Sequence, residues 1–308
     1  MTLRVVFFGS PEFAVPTLCA LLAAEEVVLV VTQPDKPAGR GQKLAAPPVK
    51  VVAEAAGVPV LQPKSVRTEE FQQAFRKLGA DVAVVVAYGK ILPQVVLDTP
   101  KLGCLNVHAS LLPKYRGAAP IQWALIRGEL ETGVTIMKLD AGMDTGPLLM
   151  SRAVPIADGD TAGALQARLS KMGAELMMET LRRVKSGGVV EVSQEHAQAT
   201  MAPLLTKEHG RIDWTKSAVD VRNLVRGVDP WPGAFTMMGP EVLKVWSAKS
   251  VDGSGHAGQV LGVDRDGLVV ACGSGAVALA ELQLPGRKRM PVGALVAGRP
   301  IPTGTKLG

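Results

Sequence analysis

The sequence predicts an α/β protein: a doubly wound, mostly parallel sheet followed by a small β-barrel. Three observations carry this. Residues 3–8, 27–31, 82–87, 104–108 and 134–139 are short runs rich in Val, Leu and Ile. They are apolar throughout rather than alternating, as strands buried on both faces require. Helix-like segments near 13–24, 47–56, 68–78 and 117–127 separate the runs, and strand–helix alternation produces a parallel sheet with helices on its faces. Past residue 188 the pattern changes to short β-prone runs punctuated by Gly, Asp and Pro, the spacing of a small barrel.

Residues 161–185 form a long amphipathic helix candidate, with Asp160 or Thr161 to cap its start and Gly187-Gly188 to end it. Residues 189–205 have no clear helical period and read as a linker crossing a surface. One helical stretch, Ala218–Arg226, precedes the runs Ala234–Met238, Val242–Ala248, Gly258–Val263, Leu268–Cys272 and Val277–Leu284. We therefore divide the chain into a first domain at 1–188, a linker at 189–205 and a second domain at 206–308.

Composition narrows the class. Of 308 residues, 47% are hydrophobic and 20% charged, which describes a globular protein rather than a disordered one. No apolar run approaches the roughly 20 residues of a membrane span. The first apolar run starts too early, and is too short, for a signal peptide, so a cytoplasmic protein is expected. Cys19, Cys104 and Cys272 are odd in number and scattered, which fits a reducing compartment better than a disulfide framework. His108, His196, His209 and His256 are dispersed and show no zinc spacing, so no metal is expected. The net charge is +6, of which residues 206–308 carry +4. A mildly basic second domain is compatible with a polyanionic partner, and also with a plain lysine-rich surface.

Four segments carry chemistry. The first run ends in Phe8-Gly9-Ser10-Pro11, with one glycine where a dinucleotide site needs G-x-G-x-x-G. A tight turn is the better reading. Residues 33–48 form a long loop bearing Lys36, Arg40 and Lys43, with Gly39 and Gly41 beside Arg40. Such a loop can reach a phosphate backbone, or be merely solvated. The run at 104–108 carries Asn106 and His108, which share one face of a strand, at the carboxyl end where open sheets place their ligands. The strand ending near Leu139 leads into Asp140-Ala-Gly-Met-Asp144. If that loop leaves the same carboxyl edge, a carboxylate lies near His108 and orients it. An ordinary Asp turn suits Asp140 better than Asp144.

These residues resemble a known family. Asn106-x-His108, Ser110-Leu-Leu-Pro113, Arg116-Gly117-Ala118 and Asp144 after a Gly-Val-Thr-Ile strand are similar to the folate-dependent formyltransferases over about residues 1–185. The resemblance implies a Rossmann-like formyltransferase domain with Asn106, His108 and Asp144 as the catalytic set. It also implies 10-formyltetrahydrofolate as donor, bound by Ser110, Leu111, Leu112 and Pro113, with Lys90, Leu92 and Asp140 beside them. The loop Gln33-Pro-Asp-Lys-Pro-Ala-Gly-Arg-Gly-Gln-Lys43, the stretch Gly117–Gln122, Arg211-Ile-Asp-Trp214 and Pro230-Trp-Pro232 resemble the branch of that family that formylates methionyl-tRNA. That branch implies an OB-like C-terminal barrel, initiator tRNA as partner, contacts to it from Arg40, Lys43 and Lys36, and no membrane. We expect a monomer. Formylation of an amino-sugar nucleotide and hydrolysis of 10-formyltetrahydrofolate use the same catalytic set and are the alternatives. A silent RNA-binding relative has little reason to retain all three residue types.

Overall fold

The structure, a computed structural model, describes residues 2–38 and 43–308, with the side chains of Ala38 and Lys43 excepted. Arg40 therefore lies outside the described residues. The chain divides into two compact units. The first comprises Met1–Pro120, Thr132–Val154 and Gln166–Pro203, the second Ile121–Glu131, Pro155–Leu165 and Leu204–Gly308.

The elements follow in order as β1 (Arg4–Gly9), α1 (Val15–Ala24), β2 (Glu26–Val31), β3 (Lys36–Ala38), β4 (Lys43–Ala45), α2 (Pro48–Ala55), β5 (Val60–Leu61), α3 (Glu69–Lys77), β6 (Val82–Val86), α4 (Gln94–Leu97) and β7 (Cys104–His108). Then come α5 (Pro120–Ile126), β8 (Glu131–Lys138), β9 (Leu148–Pro155) and α6 (Ala162–Lys185). The seven-stranded sheet has the order β5-β2-β1-β6-β7-β8-β9. The first five strands pair in parallel. Their apolar residues fill both faces: Val6, Phe8, Val31, Ala83 and Val85 join Phe71 and Phe75 of α3 in one cluster, while Val5, Phe7, Val30 and Val84 are equally buried. Helix α3 starts cleanly because the Thr68 hydroxyl accepts from the Phe71 N–H.

Two features of this unit differ from expectation. Strand β8 runs antiparallel to β7, with Leu105 opposite Lys138 and His108 opposite Thr135. A run that is apolar throughout reports burial on both faces, not direction. Within the 33–48 loop, β3 and β4 pair as a short antiparallel hairpin, Lys36 opposite Ala45. The strands have three residues each, too few for a period to show.

The second unit contains α7 (Ala218–Gly227), β10 (Ala234–Met238), β11 (Glu241–Val251), β12 (Val260–Val263), β13 (Leu268–Ala271), β14 (Ala276–Gln283), β15 (Met290–Pro291) and α8 (Val292–Gly298). Its antiparallel sheet has the order β10-β11-β14-β13-β12, with β15 on β14. Strand β10 alternates buried and half-buried residues, as a sheet with one covered face requires. Ser217 and Asp220 close a capping box at the start of α7. This small β domain agrees with an OB-like barrel. No helix among the described residues is long and apolar enough to cross a membrane.

Candidate active site

The site begins on β7. Register places Asn106 beside Val85 of β6 and Met137 of β8, and His108 beside Thr135. Alternation puts Cys104, Asn106 and His108 on one face. Cys104 lies deepest, 1% exposed, with burial pushing its thiol up to about 12, helped by the charge of Asp98. It is an inert core thiol. Asn106 is 8% and His108 5% exposed. The Asn106 carboxamide makes no hydrogen bond to any described residue. A nearly buried amide without a protein partner suits an external oxygen.

The loop after β7 fixes the imidazole. Ser110, fully buried, donates its hydroxyl to the Lys114 carbonyl at 2.6 Å. Its own carbonyl accepts from the Thr135 hydroxyl at 2.7 Å, which in turn accepts from the Leu112 N–H at 3.2 Å. This pinned turn carries Tyr115, whose φ of +62° aims its carbonyl at His108 Nε2, 2.9 Å away. A carbonyl only accepts, so Nε2 carries the hydrogen. Nδ1 then faces Oδ2 of Asp144 at 3.6 Å, beyond the length of a direct hydrogen bond. That same Oδ2 accepts from the Gly117 N–H at 2.8 Å. Glycine is required there: φ is +117° and a Cβ would sit 2.7 Å from the Ala202 carbonyl oxygen.

Asp144 reaches His108 without a shared carboxyl edge. Because β8 is antiparallel, its carboxyl end lies beside the start of β7, and the Leu139 N–H donates to the Cys104 carbonyl at 2.8 Å. The loop of residues 139–147 therefore folds back toward His108 instead of leaving from a shared carboxyl edge. Asp140 closes its first turn, accepting from the Gly142 N–H at 3.0 Å and the Thr145 hydroxyl at 2.7 Å. At Gly146 a Cβ would be 1.9 Å from the Lys138 carbonyl oxygen. Asp144 itself is left-handed, φ +53°, a conformation tolerated by aspartate but seldom adopted without outside support.

Sequence reasoning missed that support. Gln194, 5% exposed, donates to the carbonyls of Asp144 at 2.9 Å and Gly146 at 2.7 Å. Its oxygen accepts from Arg116 Nε at 3.2 Å and Nη2 at 2.7 Å. Arg116 Nη2 also donates to His196 Nδ1 at 2.9 Å. Thr200 adds two bonds, its hydroxyl to the Tyr115 N–H at 2.9 Å and its carbonyl to the Arg116 N–H at 2.8 Å. These residues fall in 189–205, a stretch of which 189–203 belongs to the first unit.

The remaining candidates are more peripheral. Lys90 spends its ammonium on the Pro63 and Lys64 carbonyls, 3.0 and 2.8 Å away. Leu92 is buried, while its neighbour Ile91 is 62% exposed. Leu111 and Pro113 are half-buried and Leu112 is buried. Lys36 is exposed on β3. The stem of that hairpin is anchored by Asp35, which pairs with Lys50 at 3.0 Å and accepts from Gln62 at 2.7 Å. These bonds, that to Gln62 first, hold the Asp35 carboxyl below its usual range.

An unpartnered amide beside an imidazole, itself faced by a carboxylate, is equipped to stabilise a developing oxyanion and to move a proton. Among the described residues, no three His, Cys, Asp or Glu side chains group to hold a metal.

Comparison with known proteins extends the picture. The family profile described as formyl transferase matches residues 3–181, and that of the formyl transferase C-terminal domain matches residues 204–300. The methionyl-tRNA formyltransferase of Geobacter sulfurreducens is 51% identical over 307 residues, 99% of this chain and 97% of that protein. That of Acetivibrio thermocellus is 51% identical over 310 residues, 99% and 100%. Among solved structures, an N-formyltransferase from Helicobacter canadensis, in complex with folinic acid and dTDP-3-aminofucose, superposes with a TM-score of 0.69 at 18% identity, covering 90% of this chain and 99% of that one. HypX from Aquifex aeolicus, in complex with tetrahydrofolic acid, superposes at 0.64 with 17% identity over 96% of this chain. The chain spans about half the length of HypX, 47%. At such identities these two likenesses concern the fold alone.

Proposed function

The chain belongs to the formyl transferase family, and from that premise we propose that it transfers the formyl group of 10-formyltetrahydrofolate to the α-amine of methionine on initiator tRNA. The observation that carries this reading is the identity of about one half with methionyl-tRNA formyltransferases, sustained across both units. The N-formyltransferase solved with an amino-sugar nucleotide shares the fold over 90% of the chain but only 18% of its residues, so the level of identity, rather than the extent of the likeness, favours the tRNA acceptor.

The site supports a division of labour. The folate supplies the formyl group and, in N10, its leaving atom. Attack by the amine makes the formyl oxygen an oxyanion. The Asn106 amide donates to it, and one such preorganised donor is worth about 3–4 kcal/mol. His108 Nε2 is committed to the Tyr115 carbonyl, so Nδ1 is the working nitrogen. Protonated, it passes a proton toward N10; the Asp144 carboxylate, 3.6 Å away, favours that charged form and helps receive the proton the amine must lose. The exchange balances: one proton leaves the amine and one arrives at N10. No covalent enzyme intermediate is needed.

We assign formyl transfer to residues 1–188 and tRNA binding to 206–308, joined through 189–205. Lys36, Arg40 and Lys43 contact the tRNA backbone. Ser110 through Pro113, with Lys90, Leu92 and Asp140, border the folate; the buried, internally bonded Ser110 acts through the backbone turn it holds. We place a monomeric enzyme in the cytoplasm, beside translation. The test is formyl transfer from 10-formyltetrahydrofolate with initiator Met-tRNA, elongator Met-tRNA and no acceptor. Fast transfer to the initiator alone is expected. Equal folate turnover in all three refutes the assignment.

A further inference from the structure

We infer that Gln194 is a positioning residue for the reaction: with Arg116 it sets the backbone of the loop that presents Asp144 to His108. This rests on the catalytic reading of Asp144. Two facts fix how the Gln194 amide is oriented. Its nitrogen faces two carbonyls, which only accept, and its oxygen faces a guanidinium, which only donates. The flipped amide satisfies neither side.

The two ends of this bridge meet the two catalytic partners. At one end, the amide nitrogen holds the carbonyl of Asp144 in a left-handed conformation. At the other, Arg116 lies between Tyr115, whose carbonyl holds His108 Nε2, and Gly117, whose N–H holds the Asp144 carboxylate. A buried guanidinium usually meets a carboxylate. Here, 7% exposed, its side-chain partners among the described residues are Gln194 and His196. A carboxylate at position 194 would satisfy the arginine but offer nothing to the two carbonyls. The amide is the one side chain of this length that serves both ends. The distance between His108 Nδ1 and Asp144, 3.6 Å, is thus set from residue 194, which hydrogen-bonds to neither side chain.

The test uses the full-length protein and three variants. Gln194→Glu keeps the acceptor for Arg116 and removes both donated bonds. Gln194→Met is similar in volume and removes all of them. Asp144→Asn serves as reference. Initiator Met-tRNA kinetics, the kcat–pH profile, affinity for folinic acid and thermal stability are measured on each. Both Gln194 variants are expected to lose about 100-fold in kcat, the cost of an ångström-scale misplacement, with a displaced pH profile. KM for tRNA and folinic acid affinity should change little. Should Gln194→Glu fail to fold, Gln194→Met carries the same expectation. An inactive Asp144→Asn beside Gln194 variants with normal kcat and pH profile overturns the inference alone. So does lost kcat that merely tracks lost folded protein with an unmoved profile. An active Asp144→Asn overturns the catalytic reading, and the inference with it.

Discussion

Replacing Gly117 by alanine is expected to harm stability and turnover through two separable causes. The backbone there has φ +117°, and the added methyl would meet the Ala202 carbonyl oxygen at 2.7 Å. That oxygen cannot swing away, because Ala202 is tied back by its N–H to the Arg116 carbonyl at 2.7 Å and its carbonyl accepts from the Ala119 N–H at 3.1 Å. Holding an L-residue in such a conformation costs about 1–3 kcal/mol. The displaced loop also loses the Gly117 N–H bond to Asp144 at 2.8 Å, and a hydrogen bond to a charged group contributes about 1.5–3 kcal/mol. For a unit of this size the strain alone appears as a Tm decrease of roughly 2–12 °C, and the two losses together as roughly 5–24 °C. The second appears in catalysis, because Asp144 loses the donor that aims it, with kcat falling about 10- to 100-fold. Differential scanning fluorimetry and single-turnover formyl transfer on the same preparation read both. An alanine variant with unchanged Tm and kcat would refute the account of both the glycine and the carboxylate.

Asp144→Asn keeps the acceptor for Gly117 but removes the charge facing His108; unit charges 3.6 Å apart attract by about 4–5 kcal/mol at an effective dielectric of about 20, so kcat should fall about 1,000-fold with folinic acid binding retained. Arg40→Ala should raise KM for Met-tRNA and reduce the salt slope of tRNA binding by about one, leaving slow transfer to a small amine intact. The Asp35 carboxyl is depressed below its ordinary 3.8 by its bonds to Gln62 and Lys50. Its stabilisation is therefore present above pH 3.8 and lost as pH falls through the lower folded value. Wild type should exceed Asp35→Asn in Tm at pH 7, and the difference should vanish in strong acid.

The parts of the fold legible in the sequence were those whose cause is local. Buried strands such as β6 and β7 appear as unbroken Val and Leu runs, and α6 as a long period ended by two glycines. Asn106 and His108 were paired by strand parity, which needs only their spacing. The direction of β8 was not legible, because nothing within Gly-Val-Thr-Ile-Met distinguishes a strand that runs with its neighbour from one that runs against it. In the sequence Thr135 is one β-branched residue of a strand, and its hydroxyl acquires meaning only once the Ser110 turn folds over it. Gln194 was least visible: its partners lie 48, 50 and 78 residues away, in a stretch without periodicity, where the one available hint was a polar side chain in need of burial.

The hydrogen on His108 is assigned by the Tyr115 carbonyl, which belongs to the main chain. Scanning mutagenesis of side chains is therefore blind to it, since every substitution at 115 that preserves the chain path preserves the acceptor. The tautomer is inherited from the curvature of the loop rather than from any one amino acid. Random change can disturb it chiefly by straightening that curve, and a chemist can remove it directly only by altering the amide itself. A site wired in this way keeps its tautomer through a change of side chain at 115, and that robustness resides in geometry that an alignment of side chains does not record.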